Sequence, residues 1–266
     1  MKTLIMSRRV APGVTDSANH PVRTTAKSLH LIEVLDRMGG ARIYELESEV
    51  EMTKGAIHNH LSTLSEHGYV TRSGDEYALS FEFLSLGGGV RYRSKFYQVG
   101  EPKVEQLANE TGLLTNLMVE EGGKGVYLAQ ARGNHAVPLD THVGYRIHLH
   151  CTGVGKAILA HLPDEQVTEI INEWGLPKST ENTITTPEVL FDELESIRER
   201  GYATDNAEWT QGLTCIGAPV QVEDTLYGAI SVSAPTKRLG NEEFDDEIIA
   251  DVEGTANDIA LNIKYG

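Results

Sequence analysis

Residues 53–79 read TKGAIHNHLSTLSEHGYVTRSGDEYAL, and this stretch decides the fold of the N-terminal third. Thr53 suits a helix N-cap, and Ile57, Leu61 and Leu64 follow at i, i+4 and i+7, the period of one buried helical face, before Gly68 ends the run. Tyr69–Arg72 and Glu76–Leu79 then flank Ser73-Gly74-Asp75, the pattern of a β-hairpin. Upstream, Leu29, Ile32 and Leu35 recur at every third position after Thr25, a second N-cap candidate, and mark a helix closing at Gly39-Gly40. Ile43 to Val50 fits a short helix between the two. Helix, helix, helix, hairpin is the order of a winged helix-turn-helix, whose third helix reads DNA.

With Ile57 at the centre of the buried face and about 100° per residue, the opposite side carries Gly55, His58, Asn59, Ser62 and Thr63. Together with Thr53 and Lys54 at the helix start and Arg72 in the wing, these are the candidate contacts to double-stranded DNA. They supply the donors and acceptors that base edges and phosphates require. The same residues would also suit a solvated face that meets a protein, so an adaptor is the alternative use of this head.

The chain has 266 residues, 40% of them apolar and 23% charged, with a mean hydropathy of -0.27, a composition of globular proteins. No apolar run is long enough for a membrane span, and Met1 to Met6 lacks a signal-peptide pattern, so a cytoplasmic protein without membrane contact is expected. Cys151 and Cys215 form no CxxC pair and are expected to be reduced. The net charge is -16, unevenly spread. Residues 1–95 carry 12 Lys and Arg against 11 Asp and Glu, leaving 11 against 28 for residues 96–266. Only the first part is suited to a polyanion, and the acidic remainder fits a protein kept soluble in concentrated salt, as in a halophilic archaeon.

Four regions follow. Residues 1–22 hold Pro12, Gly13, Ser17, Asn19 and Pro21 without periodicity and read as a flexible tail. Residues 23–80 form the winged head. Residues 81–99, with Gly87-Gly88-Gly89 before Arg91, Arg93 and Lys95, read as a hinge and a basic linker helix. Residues 100–266 mix strands (Thr115–Val119, Val126–Ala131, Ile147–Cys151, Gly217–Val222, Leu226–Ser233) with helices (Gly155–His161, Asp164–Trp174, Pro187–Arg200 capped by Thr186, Asn241–Ile263). In the last helix Phe244, Ile248, Val252, Ile259 and Ile263 make one stripe. The pattern is an α+β domain on an antiparallel sheet.

Catalytic signatures are missing: no GxGxxG, P-loop, HExxH or GxSxG occurs, and no cofactor is expected. On a strand, His148 and His150 would share one face opposite Leu149 and Cys151, yet two imidazoles without a third ligand predict no metal site. Cys215 lies downstream of Asp205 and Glu208, acids that would raise a thiol pKa and oppose nucleophilic chemistry. A metabolic enzyme using Cys215 or the histidine pair is the rival from another class. Ser231 and Ser233 share a strand face opposite Ile230 and Val232, which is either a solvated face or the wall of a pocket.

Over about residues 23 to 264 the sequence resembles the IclR (isocitrate lyase regulator) type of transcriptional regulators. The resemblance rests on Lys54-Gly55-Ala56-Ile57-His58-Asn59-His60-Leu61 with Leu64, Gly68, Tyr69 and Val70. It rests equally on Gly201, Asp205, Glu208, Cys215-Ile216-Gly217 and Val220, and on the blocks from Cys151 to Ala160 and Ala229 to Pro235. It implies a GAF-like effector domain, self-association as a dimer or tetramer, and a metabolite pocket lined by Gly153, Val154, Asp205, Leu213, Cys215, Ser231 and Ser233. A small organic acid or sugar-derived acid, held by the N-terminus of the helix at Gly153-Val154-Gly155 and by the serine hydroxyls, is the effector this implies. Repression relieved by ligand is the expected mode, with activation, which the family also includes, as the alternative. The family often has Ser-Thr at Gly55-Ala56 and Arg at Asn59, so this reading helix differs in its phosphate and base contacts.

Overall fold

The computed structural model describes residues 22–238 and 242–266, and of residues 242–245 the backbone only. The expected tail, apart from Val22, lies outside the described residues. The chain divides into two compact units at Val90/Arg91, inside the expected linker.

In the first unit, α1 (Arg23–Met38), α2 (Ile43–Glu49) and α3 (Lys54–Glu66) enclose a core of Leu31, Val34, Leu35, Leu46, Ile57, Leu61 and Leu64. Helix α1 begins two residues before Thr25, which therefore sits in its first turn and is not a cap. Its buried stripe is Leu31-Val34-Leu35, and Leu29 is exposed. Two apolar spacings were available, and the one that meets α2 and α3 is the one used. Gly39 closes α1 at φ +68°, a left-handed residue that favours glycine. Strands β1 (Ala41–Arg42), β2 (Val70–Ser73) and β3 (Glu76–Leu79) form an antiparallel sheet in the order β1-β3-β2, the wing.

Helix α4 (Glu82–Tyr92) runs through Gly87-Gly88-Gly89, where a hinge was expected. Glycine lowers helix propensity without forbidding the conformation. None of the side chains of α4 is buried, and a Cβ added at Gly87 or Gly88 would meet open space.

The second unit opens with α5 (Lys95–Thr111), capped by Ser94, whose hydroxyl accepts from Tyr97 N–H at 3.3 Å. The sequence hides this helix because Gly100 and Pro102 stand in its interior, residues that usually interrupt one. Gly100 has a packing reason: a Cβ there would lie 2.6 Å from Leu117 Cδ2.

Strands β4 (Leu114–Glu121), β5 (Lys124–Arg132), β6 (Arg146–Ile147), β7 (Ala203–Asn206), β8 (Leu213–Val222) and β9 (Thr225–Pro235) form one antiparallel sheet ordered β6-β5-β4-β9-β8-β7. Its outer face carries Ile216, Val220, Ile230 and Val232 against α5 and α9 (Glu242–Tyr265), whose Ile248, Val252, Ile259 and Ile263 form the expected stripe. The side chain of Phe244 lies outside the described residues. The inner face is covered by α6 (Gly153–Leu159), α7 (Asp164–Trp174) and α8 (Pro187–Arg200). Thr186 holds the N-cap position of α8 without a capping side-chain bond, and Pro187 supplies the pre-set φ of the first turn. Among the described residues, no helix is long and apolar enough to cross a membrane.

Candidate functional site

On α3, Ile57, Leu61 and Leu64 turn inward, and all eight candidate DNA contacts, Thr53, Lys54, Gly55, His58, Asn59, Ser62, Thr63 and Arg72, are exposed. Three of them are engaged locally. Thr53 Oγ1 caps the helix by accepting from Ala56 N–H at 3.3 Å, and Thr63 Oγ1 donates to the Asn59 carbonyl at 3.0 Å. Arg72 is tied to its own turn, its Nε donating to the Gly74 carbonyl at 2.8 Å, with Asp75 at 3.6 Å and the Tyr77 ring beneath it. Lys54, His58, Asn59 and Ser62 make no side-chain hydrogen bond within the described residues. They are the groups presented outward.

In the second unit a narrow cavity, with room for about one water molecule, lies on the inner face of the sheet. Cross-strand register builds its floor: Asp205 stands opposite Cys215, and Cys215 opposite Ser233. Leu213 lies two residues before Cys215 on the same strand face and joins the lining. Ser231 and Ser233 are therefore a buried wall, not a solvated face. Ser231 belongs to the next rung, opposite Asn116 and Gly217, and does not line the cavity.

Gly153 and Val154 also fall outside the lining, although they pack beside it. Gly153 and Gly217 let α6 meet β8 backbone to backbone: a Cβ at Gly153 would lie 2.8 Å from the Cys215 carbonyl oxygen, and one at Gly217 2.9 Å from Val154 N. The Gly155 N–H is taken by Thr152 Oγ1 at 3.0 Å. Of the N–H groups in the first turn of α6, that of Gly155 is therefore committed to capping, and that of Val154 lies against the Cys215 thiol.

The sequence did not indicate Asn116, Tyr127, Leu139, Thr141, Thr152 and Trp209, which complete the lining. They come from β4, β5, the long loop after β5, the N-cap of α6 and the loop after β7. Gln130 Nε2 donates to both Asn116 Oδ1 and Thr141 Oγ1 at 2.9 Å, and Arg132 donates to the Val137 and Leu139 carbonyls. These bonds pin the loop onto the sheet. Trp209 Nε1 and the Tyr127 hydroxyl make no hydrogen bond to the described residues.

Asp205 is 1% exposed, and its Oδ1 accepts from Glu208 N–H at 2.6 Å. Burial pushes its carboxyl up to about 7, against the opposing pull of that N–H, and the Glu208 carboxylate adds to the rise. Behind it Lys156 donates to Glu208 Oε1 at 2.6 Å and to Glu193 Oε1 at 3.4 Å, and Glu193 also pairs with Arg200 at 2.9 Å. Burial raises both thiols, Cys151 to about 12. Neither is a ready thiolate nucleophile. No lysine, arginine or histidine lines this cavity.

The expected strand Ile147–Cys151 ends at Ile147, and Leu149–Cys151 form a single 3₁₀ turn. His148 and His150 are therefore not alternate residues on one strand face, yet their rings still meet edge to face at 5.6 Å. Burial lowers both to about 4. Among the described residues no group of three or more His, Cys, Asp or Glu is placed to hold a metal ion.

A winged helix-turn-helix head followed by a separate domain with a polar internal cavity defines a one-component transcriptional regulator. Residues 24–74 match the IclR helix-turn-helix domain, and residues 92–261 match the family described as bacterial transcriptional regulator IclR C-terminal. The chain belongs to the IclR family of transcriptional regulators. It is similar to the probable HTH-type transcriptional regulator ArcR of Halobacterium salinarum, at 31% identity over 92% of this chain and 97% of that one. Its identity to the transcriptional repressor IclR of Escherichia coli is 26%, covering 87% of each. Among solved structures, the Thermotoga maritima IclR aligns with a TM-score of 0.76 at 28% identity, over 92% of this chain and 100% of that one. An IclR homologue from Microbacterium hydrocarbonoxydans, complexed with 4-hydroxybenzoate, shares the fold at a TM-score of 0.79 and 20% identity, covering 91% and 100%. The Halobacterium and Escherichia relatives are both named as transcriptional regulators.

Proposed function

We propose that this chain is a repressor of metabolic genes whose hold on operator DNA is relieved when a small hydroxylated organic acid enters the cavity under Trp209. The observation that carries the reading is the lining itself: buried Asp205, Cys215 and Ser233 in one cross-strand row, facing the unpaired Trp209 N–H and Tyr127 hydroxyl. Without a cation in the wall, an acid is received by neutral donors and by the protonated fraction of Asp205, while the Asp205 carboxylate accepts from an effector hydroxyl. The complex of the Microbacterium relative with a hydroxylated aromatic acid is in keeping with this demand.

DNA is read by His58, Asn59 and Ser62, with Lys54 on the phosphates. The expected roles of Gly153, Val154 and Ser231 become structural ones beside the pocket. Self-association as a dimer or tetramer is supported by α4, where Leu84, Leu86, Val90 and Tyr92 are all exposed. The acidic composition and the Halobacterium relative support a salt-loving host. In molar salt, where screening reaches only about 3 Å, short-range contacts carry the affinity for DNA.

The test is fluorescence anisotropy of the full chain on the DNA upstream of its own gene, in molar KCl, with a panel of hydroxy, keto and hydroxybenzoic acids. Specific binding weakened by one acid, with that response lost in Asp205→Ala and Ser233→Ala, is the expected result. Binding that no acid alters, or a response that both variants retain, overturns the pocket.

A further inference from the structure

Strand β5 changes face beside the cavity under Trp209. Tyr127 stands opposite Met118 and Ala129 opposite Leu117, so Leu128 is an extra residue without a partner on β4, a β-bulge that breaks the ladder locally. Because of it Tyr127 and Ala129, two positions apart, pack on opposite faces of the sheet. Tyr127 joins the core beneath α6 and lines the cavity, whereas Ala129 joins the core beneath α5 and α9.

The Leu128 carbonyl is taken by Arg91, whose Nη1 donates to it at 3.3 Å. The guanidinium carbon also lies 4.4 Å from the centre of the Tyr97 ring, a cation–π contact. Arg91 belongs to the last turn of α4 and is the first residue of the second unit. That turn is bound to the start of α5: Ser94 N–H donates to the Arg91 carbonyl at 3.0 Å, and Gln98 Nε2 to the Tyr92 carbonyl at 2.6 Å. Arg93, two residues on, is exposed and makes no such contact among the described residues.

With room for about one water molecule, the cavity takes a larger ligand only if part of its wall moves. Asp205, Cys215 and Ser233 sit in a run of the β7–β8–β9 ladder that is unbroken from Leu213 to Val220, and Leu139 and Thr141 in the pinned loop. Tyr127 is buried beside the one residue of β5 that has no partner on β4, so a push on its ring passes along its own backbone to Leu128. We propose that Arg91 is a positioning residue that couples this cavity to operator binding: by holding the Leu128 carbonyl, it makes the last turn of α4 follow Tyr127 when the cavity is filled. The inference rests on the reading of this cavity as the sensing site.

Cys215→Leu stands in for a ligand, since its added carbons fill the floor that Tyr127 faces. Affinity of the full chain for the DNA upstream of its own gene is measured by anisotropy for the wild type, Cys215→Leu, Arg91→Met and the double variant. Cys215→Leu is expected to weaken binding about tenfold when Arg91 is present and less than about twofold in Arg91→Met, a coupling of ordinary size between two sites. Arg91→Lys, which keeps a donor and a cation over Tyr97, should recover most of the response, and Arg93→Met should leave it whole. Urea unfolding checks that each variant folds, and Ser233→Val, a smaller addition to the same row, replaces Cys215→Leu if overpacking unfolds it. A purely structural Arg91 would shift both arms alike. Equal weakening by Cys215→Leu with and without Arg91→Met overturns the proposal, as does a filled cavity that leaves DNA binding unchanged. Both results are independent of the wild type's answer to the acid panel, which decides the pocket reading itself.

Discussion

The Lys156 ammonium and the Glu208 carboxylate form a 2.6 Å ion pair almost wholly shielded from water, with Lys156 itself 2% exposed. The pair does more than neutralise two charges. Glu208 N–H donates to Asp205 Oδ1, so the residue that the lysine holds also positions the carboxyl in the cavity floor.

Removing one partner of such a pair strands the other. Lys156→Met is expected to lower stability by about 3–5 kcal/mol, and the double variant Lys156→Met with Glu208→Leu to recover most of it. Urea unfolding of the wild type, both single variants and the double variant measures this. A double variant as weak as the single one would show that packing, not charge, is what was lost.

Asp205 makes the protein less stable as pH rises. Its carboxyl is pushed up to about 7 in the fold, against about 4 in the unfolded chain, so between those values the folded state holds the extra proton. Its ionisation penalty is absent below about pH 4, grows through the interval and is complete above pH 7. Asp205→Asn keeps an acceptor for Glu208 N–H without the charge. Its stability relative to wild type should rise from pH 5 to pH 8, by up to about 3 kcal/mol. A pH-independent difference between the two proteins in chemical denaturation would refute the assignment.

The head predicts a contrast between two polar side chains. Asn59 is exposed and makes no side-chain hydrogen bond within the described residues, so Asn59→Ala should cost about 1–3 kcal/mol on the operator and relax the base preference at one position. Arg72 is already held by the Gly74 carbonyl and the Tyr77 ring. Arg72→Ala should weaken binding less, and equally on all sequences. Anisotropy on operator and scrambled duplexes separates the two.

Ser231 Oγ is buried and, apart from the weakly bonding Cys215 thiol beside it, has no hydrogen-bond partner among the described residues. Removing an unsatisfied buried hydroxyl ends a desolvation penalty, so Ser231→Ala should leave the ligand-free protein unchanged in stability or raise it by about 1 kcal/mol. A clear loss in thermal unfolding would mean that the hydroxyl has a partner after all.

The winged head was legible because its signals are local: a capped amphipathic helix, terminal glycines and a short hairpin all speak within a few residues. The floor of the cavity was half legible. Asp205, Cys215 and Ser233 were named through the family resemblance, whereas Asn116, Tyr127, Thr141 and Trp209 reach the cavity through strand register and a pinned loop that no spacing encodes. Strand β7, Ala-Thr-Asp-Asn, has only four mostly polar residues and carries no alternation to detect. Helix α5 was lost to Gly100 and Pro102, local breakers overridden by packing against Leu117. The 3₁₀ turn at Leu149–Cys151 shows the opposite error, a two-residue alternation that satisfied a strand pattern without being a strand.

The glycines of α4 have a thermodynamic consequence. Each forfeits about 1 kcal/mol of helix propensity relative to alanine, and an 11-residue helix without buried side chains lies below the length at which isolated helices persist in water. Its order is therefore borrowed from its surroundings. In a lone copy α4 should be the segment whose amides exchange earliest, and covering Leu84 and Val90 would slow that exchange, so the segment joining reader and sensor is one whose rigidity is set by its company.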